Sequence, residues 1–161
     1  MKNKILIISA MLLLVALLCG FIVWSDGKDN IDGIQLTHYE YTVSNGYSGR
    51  RVTFMIEQKD SIVVAKVKDC SMLLDTCMVD SECEAPRELL ETIGKMLVDA
   101  KVYKWENHYT NPDVFDGDSW SMDVAFGKQL FWSGGYMAWP NNDPTSEINS
   151  MIYKACNPKE E

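Results

Sequence analysis

The chain opens with an uninterrupted apolar run, and that run limits where the rest of it can fold. From Ile5 to Trp24 no residue is charged and nearly all are apolar, with Lys2 and Lys4 just ahead of them. A basic start followed by an apolar stretch is the layout of a secretory signal. A run of this length is also sufficient to cross a bilayer as a helix. Asp26, Asp29 and Asp32 follow, with Lys28 the only nearby cation. The positive-inside bias therefore places the N-terminus in the cytoplasm and the chain from about residue 31 onward outside it.

Three fates of the segment stay open. Cleavage would use Val23 and Ser25 as the small residues before the cut, although no A-x-A pattern is present. Lipidation would use Cys19, which Gly20 follows suitably, but Leu18 stands where a small residue is expected. Retention as a single-span anchor needs only the run itself. In each case residues 1–24 are a targeting or anchoring segment, 25–33 a polar linker, 34–157 one domain and 158–161 a tail.

The segment leaves about 135 residues, enough for one ordinary domain. The net charge of −8 argues against nucleic acid, which requires a basic footprint, and favours a basic partner. Four cysteines remain: Cys70, Cys77, Cys83 and Cys156. In an oxidising compartment an even number points to disulfides, here with three possible connectivities. Their spacing lacks the paired C-x2-C of zinc sites, and His38 and His108 lie far from them.

Alternation of apolar and polar residues predicts strands over residues 34–43, 50–58 and 61–68, joined by turns at Ser44–Gly49 and Lys59-Asp60. A cysteine-containing loop follows. Pro86 then opens a helix whose Leu89, Leu90, Ile93, Met96, Leu97 and Ala100 form one apolar stripe. After a polar loop, residues 119–126 and 129–133 read as strands, turned at Gly127-Lys128 and ended by Gly134-Gly135. Asp143 and Pro144 start a last helix lined by Ile148, Met151, Ile152 and Ala155. The order β-β-β-α-β-β-α predicts an α+β fold, an antiparallel sheet of about five strands with two helices on one face. With those helices antiparallel, Cys83 meets Cys156 and Cys70 closes a short loop with Cys77.

Chemistry-bearing residues are sparse. Nucleophilic catalysis needs a base beside the nucleophile, and neither G-x-S-x-G nor a phosphate-binding glycine loop occurs. Asp113, Asp116, Asp118 and Asp123 cluster around Asp116-Gly117-Asp118, without the spacing of a calcium loop. No cofactor or metal is predicted. Aromatics are denser: Trp105, Trp120, Trp132, Tyr136 and Trp139. Trp120 and Trp132 are expected to face inward. Tyr136 and Trp139, in a loop beside Pro140, are the expected contact residues for a protein or glycan, since such side chains recur at binding hot spots.

Asp116-Gly117-x-x-Trp120, the strand after it, Ser133-Gly134-Gly135 and Trp139-Pro140 resemble a group of small exported bacterial domains of unknown function, often found on lipoproteins or single-span proteins. The resemblance covers about 60 residues of the C-terminal half. It implies a similar α+β domain in the cell envelope and brings no activity with it. The expected function is a non-catalytic binding or interaction module, bound to the membrane only through its N-terminal segment. The alternatives are an acidic inhibitor or immunity-like protein against a basic exported enzyme, and a hydrolase using the carboxylates near residues 113–123.

Overall fold

A computed structural model describes residue 31 and residues 33–158. Residues 1–24, with Cys19, and most of the expected linker and tail lie outside the described residues. The chain forms β1 (Leu36–Asn45), β2 (Arg50–Lys59), β3 (Ile62–Ser71), β4 (Thr76–Ala85), α1 (Arg87–Asp99), a 3-10 turn (Val102–Lys104), β5 (His108–Thr110), β6 (Asp118–Phe126), β7 (Gln129–Tyr136) and α2 (Thr145–Cys156). The strands make one sheet in the order β4-β3-β2-β1-β6-β7-β5. The fold is α+β, but the sheet has seven strands rather than about five. It is also mixed rather than antiparallel, because β5 runs parallel to β7.

Alternation assigns the two faces. Tyr39, Tyr41 and Val43 of β1 pair with Ile56, Phe54 and Val52 of β2 on one side and with Val124, Met122 and Trp120 of β6 on the other. This inner face is joined in a single apolar core by Leu90, Ile93 and Leu97 of α1 and by Ile148 and Ile152 of α2. Burying each such side chain contributes about 1.5–3 kcal/mol. Pro144 rather than Asp143 is the N-cap of α2, one residue later than the sequence suggested, and the Asp143 carboxylate just ahead of it accepts from the Thr145 amide at 2.8 Å and from the Thr145 hydroxyl at 3.0 Å. Fully buried Tyr39 donates its hydroxyl to Asn149 Oδ1 at 2.9 Å, so this polar group inside the core is satisfied.

Four expectations are corrected. The cysteine loop is largely strand β4, whose inward Val79, Ser81, Cys83 and Ala85 face the core. Gly134-Gly135 does not end β7, which continues to Tyr136. Trp132 does not face inward: the turn at Gly127-Lys128 fixes Phe126 opposite Gln129, which puts Trp132 opposite Asp123 on the other face. Ile31, assigned to a polar linker, is buried in the core, since an apolar side chain at that distance from β1 reaches the same cluster.

The glycines in β7 answer to Trp120. Its indole lies between the rings of Tyr41 and Tyr109, each centroid 6.0 Å away. Its Nε1–H donates to the Ala138 carbonyl at 2.8 Å. A Cβ at Gly135 would lie 2.6 Å from that nitrogen, 2.7 Å from the Ala138 oxygen and 2.9 Å from the Tyr109 oxygen. Gly135→Ala is therefore expected to cost about 2 kcal/mol through overpacking, lowering Tm by about 5–10 °C. Gly46→Ala, whose nearest neighbour is 3.7 Å away, should leave Tm unchanged in the same thermal melt.

Candidate functional site

The centre of the face opposite the helices is polar. Across its centre run Thr53, Thr42, Ser121 and Gly134, flanked by Met55, Glu40, Asp123 and Trp132. The Thr42 and Thr53 hydroxyls share a hydrogen bond of 2.9 Å, and Arg51 Nε donates to Ser44 Oγ at 3.3 Å. A shallow depression of about 460 Å³ lies over Glu40, Thr42, Arg51, Thr53 and Ser121. At its far side the half-exposed Trp132 lies against Gly134, where an added Cβ would be 3.2 Å from the indole. His38 sits 3.7 Å from Glu57, and His108 is exposed on β5.

A second surface lies at one end of the sheet. There the β1–β2 turn, the β3–β4 turn and the β5–β6 loop meet. Met72 N–H donates to the Gly49 carbonyl at 2.7 Å, and Gly46 N–H donates to the Gly117 carbonyl at 3.3 Å. Gly49 has φ +64°, and a Cβ there would be 2.7 Å from Leu73 Cγ, so only glycine lets the two turns close on each other. The β3–β4 hairpin is closed by a disulfide between Cys70 and Cys77. Ten large apolar side chains are exposed among the described residues, and six of them belong to this end: Tyr47, Met72, Leu73, Leu74, Met78 and Phe115. Phe115 is 91% exposed and Leu73, although it lies over Gly49, is 76% exposed, so most of their apolar surface is left open among the described residues. Scattered single apolar residues are ordinary on a surface, whereas a concentration of them marks an interaction site.

The residues singled out from sequence are distributed differently. Tyr136 pairs with Ser119 and belongs to the polar face. Trp139 reaches the helix side, where its Nε1–H donates to the Tyr41 hydroxyl at 3.4 Å. The structure therefore does not bring the two into one patch. Asp113 and Asp116 are exposed in the loop. Asp118 accepts from Asn45 Nδ2 at 2.7 Å, and alternation along β6 puts Asp123 on the opposite face. Cys83 and Cys156 face each other with their sulfurs 3.1 Å apart. Among the described residues no group of three or more His, Cys, Asp or Glu is arranged to hold a metal. No described helix is long and apolar enough to cross a membrane. The apolar triplet Met72-Leu73-Leu74 between two cysteines was the overlooked signal, because consecutive exposed apolar residues in a turn have no place in a core.

No protein-family model matches the chain, and no curated protein matches it.

One ion pair supports the loop end from the core side. Arg50 Nε donates to Asp69 Oδ1 at 2.9 Å and its Nη2 to Oδ2, and Asp69 keeps only 10% of its side chain exposed. The Arg50 hydrogen bonds hold the Asp69 carboxyl below its ordinary value against the opposing effect of burial. A carboxylate lowered on folding stabilises above its unfolded pKa and loses that contribution as pH falls through the native one. Asp69→Asn should cost about 1 kcal/mol at pH 7, since Arg50 is half-exposed, and less at pH 2. Urea midpoints of both proteins at the two pH values check this. A gap that does not narrow in acid would contradict it.

Proposed function

We propose that this chain is an exported, non-catalytic binding module of the cell envelope, and that the loop end of its sheet is the contact surface. The observation that carries the reading is the set of exposed apolar side chains on turns that are themselves held rigid. Leu73 and its neighbours sit on a hairpin closed by a disulfide and hydrogen-bonded to the adjacent turn. Preorganisation of this kind lowers the entropic cost of association. The export side of the reading is supported by Lys2, Lys4 and the apolar run after them, by the Cys70–Cys77 bridge, and by the resemblance of the C-terminal half to small exported domains.

The exposed carboxylates Asp75, Asp113 and Asp116 stand among these apolar tips, and the whole chain carries −8. That favours a second, narrower reading, in which the partner is a basic exported enzyme and the chain its inhibitor or immunity-like protein. Binding in that case would weaken steeply with added salt.

Photo-crosslinking in intact cells tests the site. A photoreactive phenylalanine analogue replacing Leu73 or Phe115 should give one discrete adduct, and the same residue at Ile62, at the other end of the sheet, should give none. Leu73→Asp with Leu74→Asp should reduce the adduct formed from Phe115 at least about tenfold while leaving circular dichroism and Tm unchanged. Adducts from Ile62 alone, or from a Trp132 replacement alone, would place the contact elsewhere.

A further inference from the structure

We infer that Cys83 and Cys156 are the site of a second disulfide, which together with Cys70–Cys77 fastens the edge strand β4 covalently at both of its ends. The two sulfurs are 3.1 Å apart, about 1 Å beyond a bonded separation, so closure needs only a small side-chain movement. Cys83 points to the inner face opposite Ala65, and Cys156 is the last residue of α2. The helix end is already held there: the Ser81 hydroxyl donates to Asn157 Oδ1 at 3.4 Å, and the Asn157 amide donates to the Tyr153 carbonyl at 3.0 Å. Both thiols are half-buried at the margin of the core.

Strand β4 is the element with most to gain. It has β3 on one side and no strand on the other. Its Asp, Glu, Ser and Ala residues are poor strand formers. Its outward Asp80 and Glu82 rely on Lys68 and Lys66 of β3, at 3.9 and 3.0 Å. Its inward Val79, Ser81, Cys83 and Ala85 are small, so they bury less apolar area than the larger aliphatic and aromatic side chains of the inner strands. Yet β4 is one arm of the hairpin that presents Met72, Leu73 and Leu74. The Cys70–Cys77 bridge spans a sequence separation of 7, whereas Cys83–Cys156 spans 73 and so removes far more freedom from the unfolded chain.

Closure requires an external disulfide, such as oxidised glutathione or the active-site disulfide of a thiol oxidase. One protein thiolate attacks it, releasing one external thiol and leaving a mixed disulfide. The second protein thiolate attacks the protein sulfur of that bond and releases the other external thiol. Two electrons and two protons pass from the cysteine pair to the external sulfurs. Burial first, and then the neighbouring Cys83, pushes the Cys156 thiol up to about 12. The Cys156 thiol is consequently protonated at neutral pH and reacts slowly without such a catalyst. On the binding reading proposed above, reduction would loosen the arm that carries the contact surface.

The test uses the full-length chain in mild detergent. After equilibration with oxidised glutathione and blocking with N-ethylmaleimide, non-reducing peptide mapping should recover Cys83 joined to Cys156 and Cys70 joined to Cys77. Alkylated Cys83 and Cys156 after oxidation, or Cys70 joined to Cys156, would overturn the assignment. Hydrogen exchange then reads the fastening. In Cys156→Ser, amides of residues 77–85 should exchange about tenfold faster than in the oxidised parent, with α1 unchanged and Tm about 10 °C lower. Equal exchange across β4 would refute the fastening. These readouts need no partner, so they stand or fall separately from the crosslinking at Leu73 and Phe115.

Discussion

Everything in this fold hangs on the ladder between β1 and β6. Strand β1 pairs with its sequence neighbour β2 on one side and with β6, some eighty residues later, on the other. Without that second ladder the chain would hold a four-stranded meander and a separate hairpin, each with an apolar face and nothing to cover it. The pairing carries the core across the seam: Tyr39, Tyr41 and Val43 meet Val124, Met122 and Trp120. Trp120 then extends it, stacking on Tyr41 of β1 and Tyr109 of β5 and bonding to Ala138 beyond β7. A contact so distant in sequence must be closed at the expense of chain entropy before it is rewarded. Until then the meander presents an unpaired β1 edge, which is a route to misassembly.

The finished sheet protects its edges by two different means. Strand β5 is only three residues long, too short to template another strand. Strand β4 is long, but its outward row of Asp80, Glu82 and Glu84 is acidic and so repels a copy of itself. The centre of the face without helices is likewise kept polar by its threonines, serines and charges. Against this background the loop end stands out. A chain that places charge and hydroxyl on its open face and along its longer edge still leaves Tyr47, Leu73, Leu74 and Phe115 in water. Shortage of polar residues does not account for that choice.

Much of the architecture was legible in the sequence because it rests on local periodicity. Strands β1 to β3, β6 and both helices show clean two- or three-to-four-residue repeats of large apolar side chains. Strand β4 was hard to read, since its inward Val79, Ser81, Cys83 and Ala85 are small and include a serine and a cysteine, so their alternation with Asp80, Glu82 and Glu84 is weakly hydrophobic. Strand β5 was invisible because three residues have no period and its pairing with Gly134 to Tyr136 is settled by the tertiary fold. Gly135 looked like a strand terminator because the atom that requires it, Trp120 Nε1, lies on another strand. The outward direction of Trp132 could have been counted from the two-residue turn at Gly127-Lys128, and parity rather than hydrophobicity decides it. At the candidate site the sequence pointed to aromatic residues in a loop, whereas the structure concentrates exposed apolar side chains on three separate turns. Their meeting depends on the β1–β6 ladder and was not available locally.

The same geometry keeps the titratable groups apart and brings the apolar turns together. Catalysis needs groups held at bonding distance around a reacting atom. Here strand alternation sends Asp118 and Asp123 to opposite faces, and His38 and His108 lie on strands separated by β6 and β7. Recognition asks for less: apolar area free in water, and a backbone that does not have to be ordered on binding. Loops usually fail the second condition. These loops satisfy it, because Gly49 is locked under Leu73, Gly46 is bonded to Gly117, and Cys70 is joined to Cys77. The Cys70–Cys77 bridge and the turn glycines are therefore best understood together, as the means by which a sheet with weak outer strands holds three apolar turns together at one end.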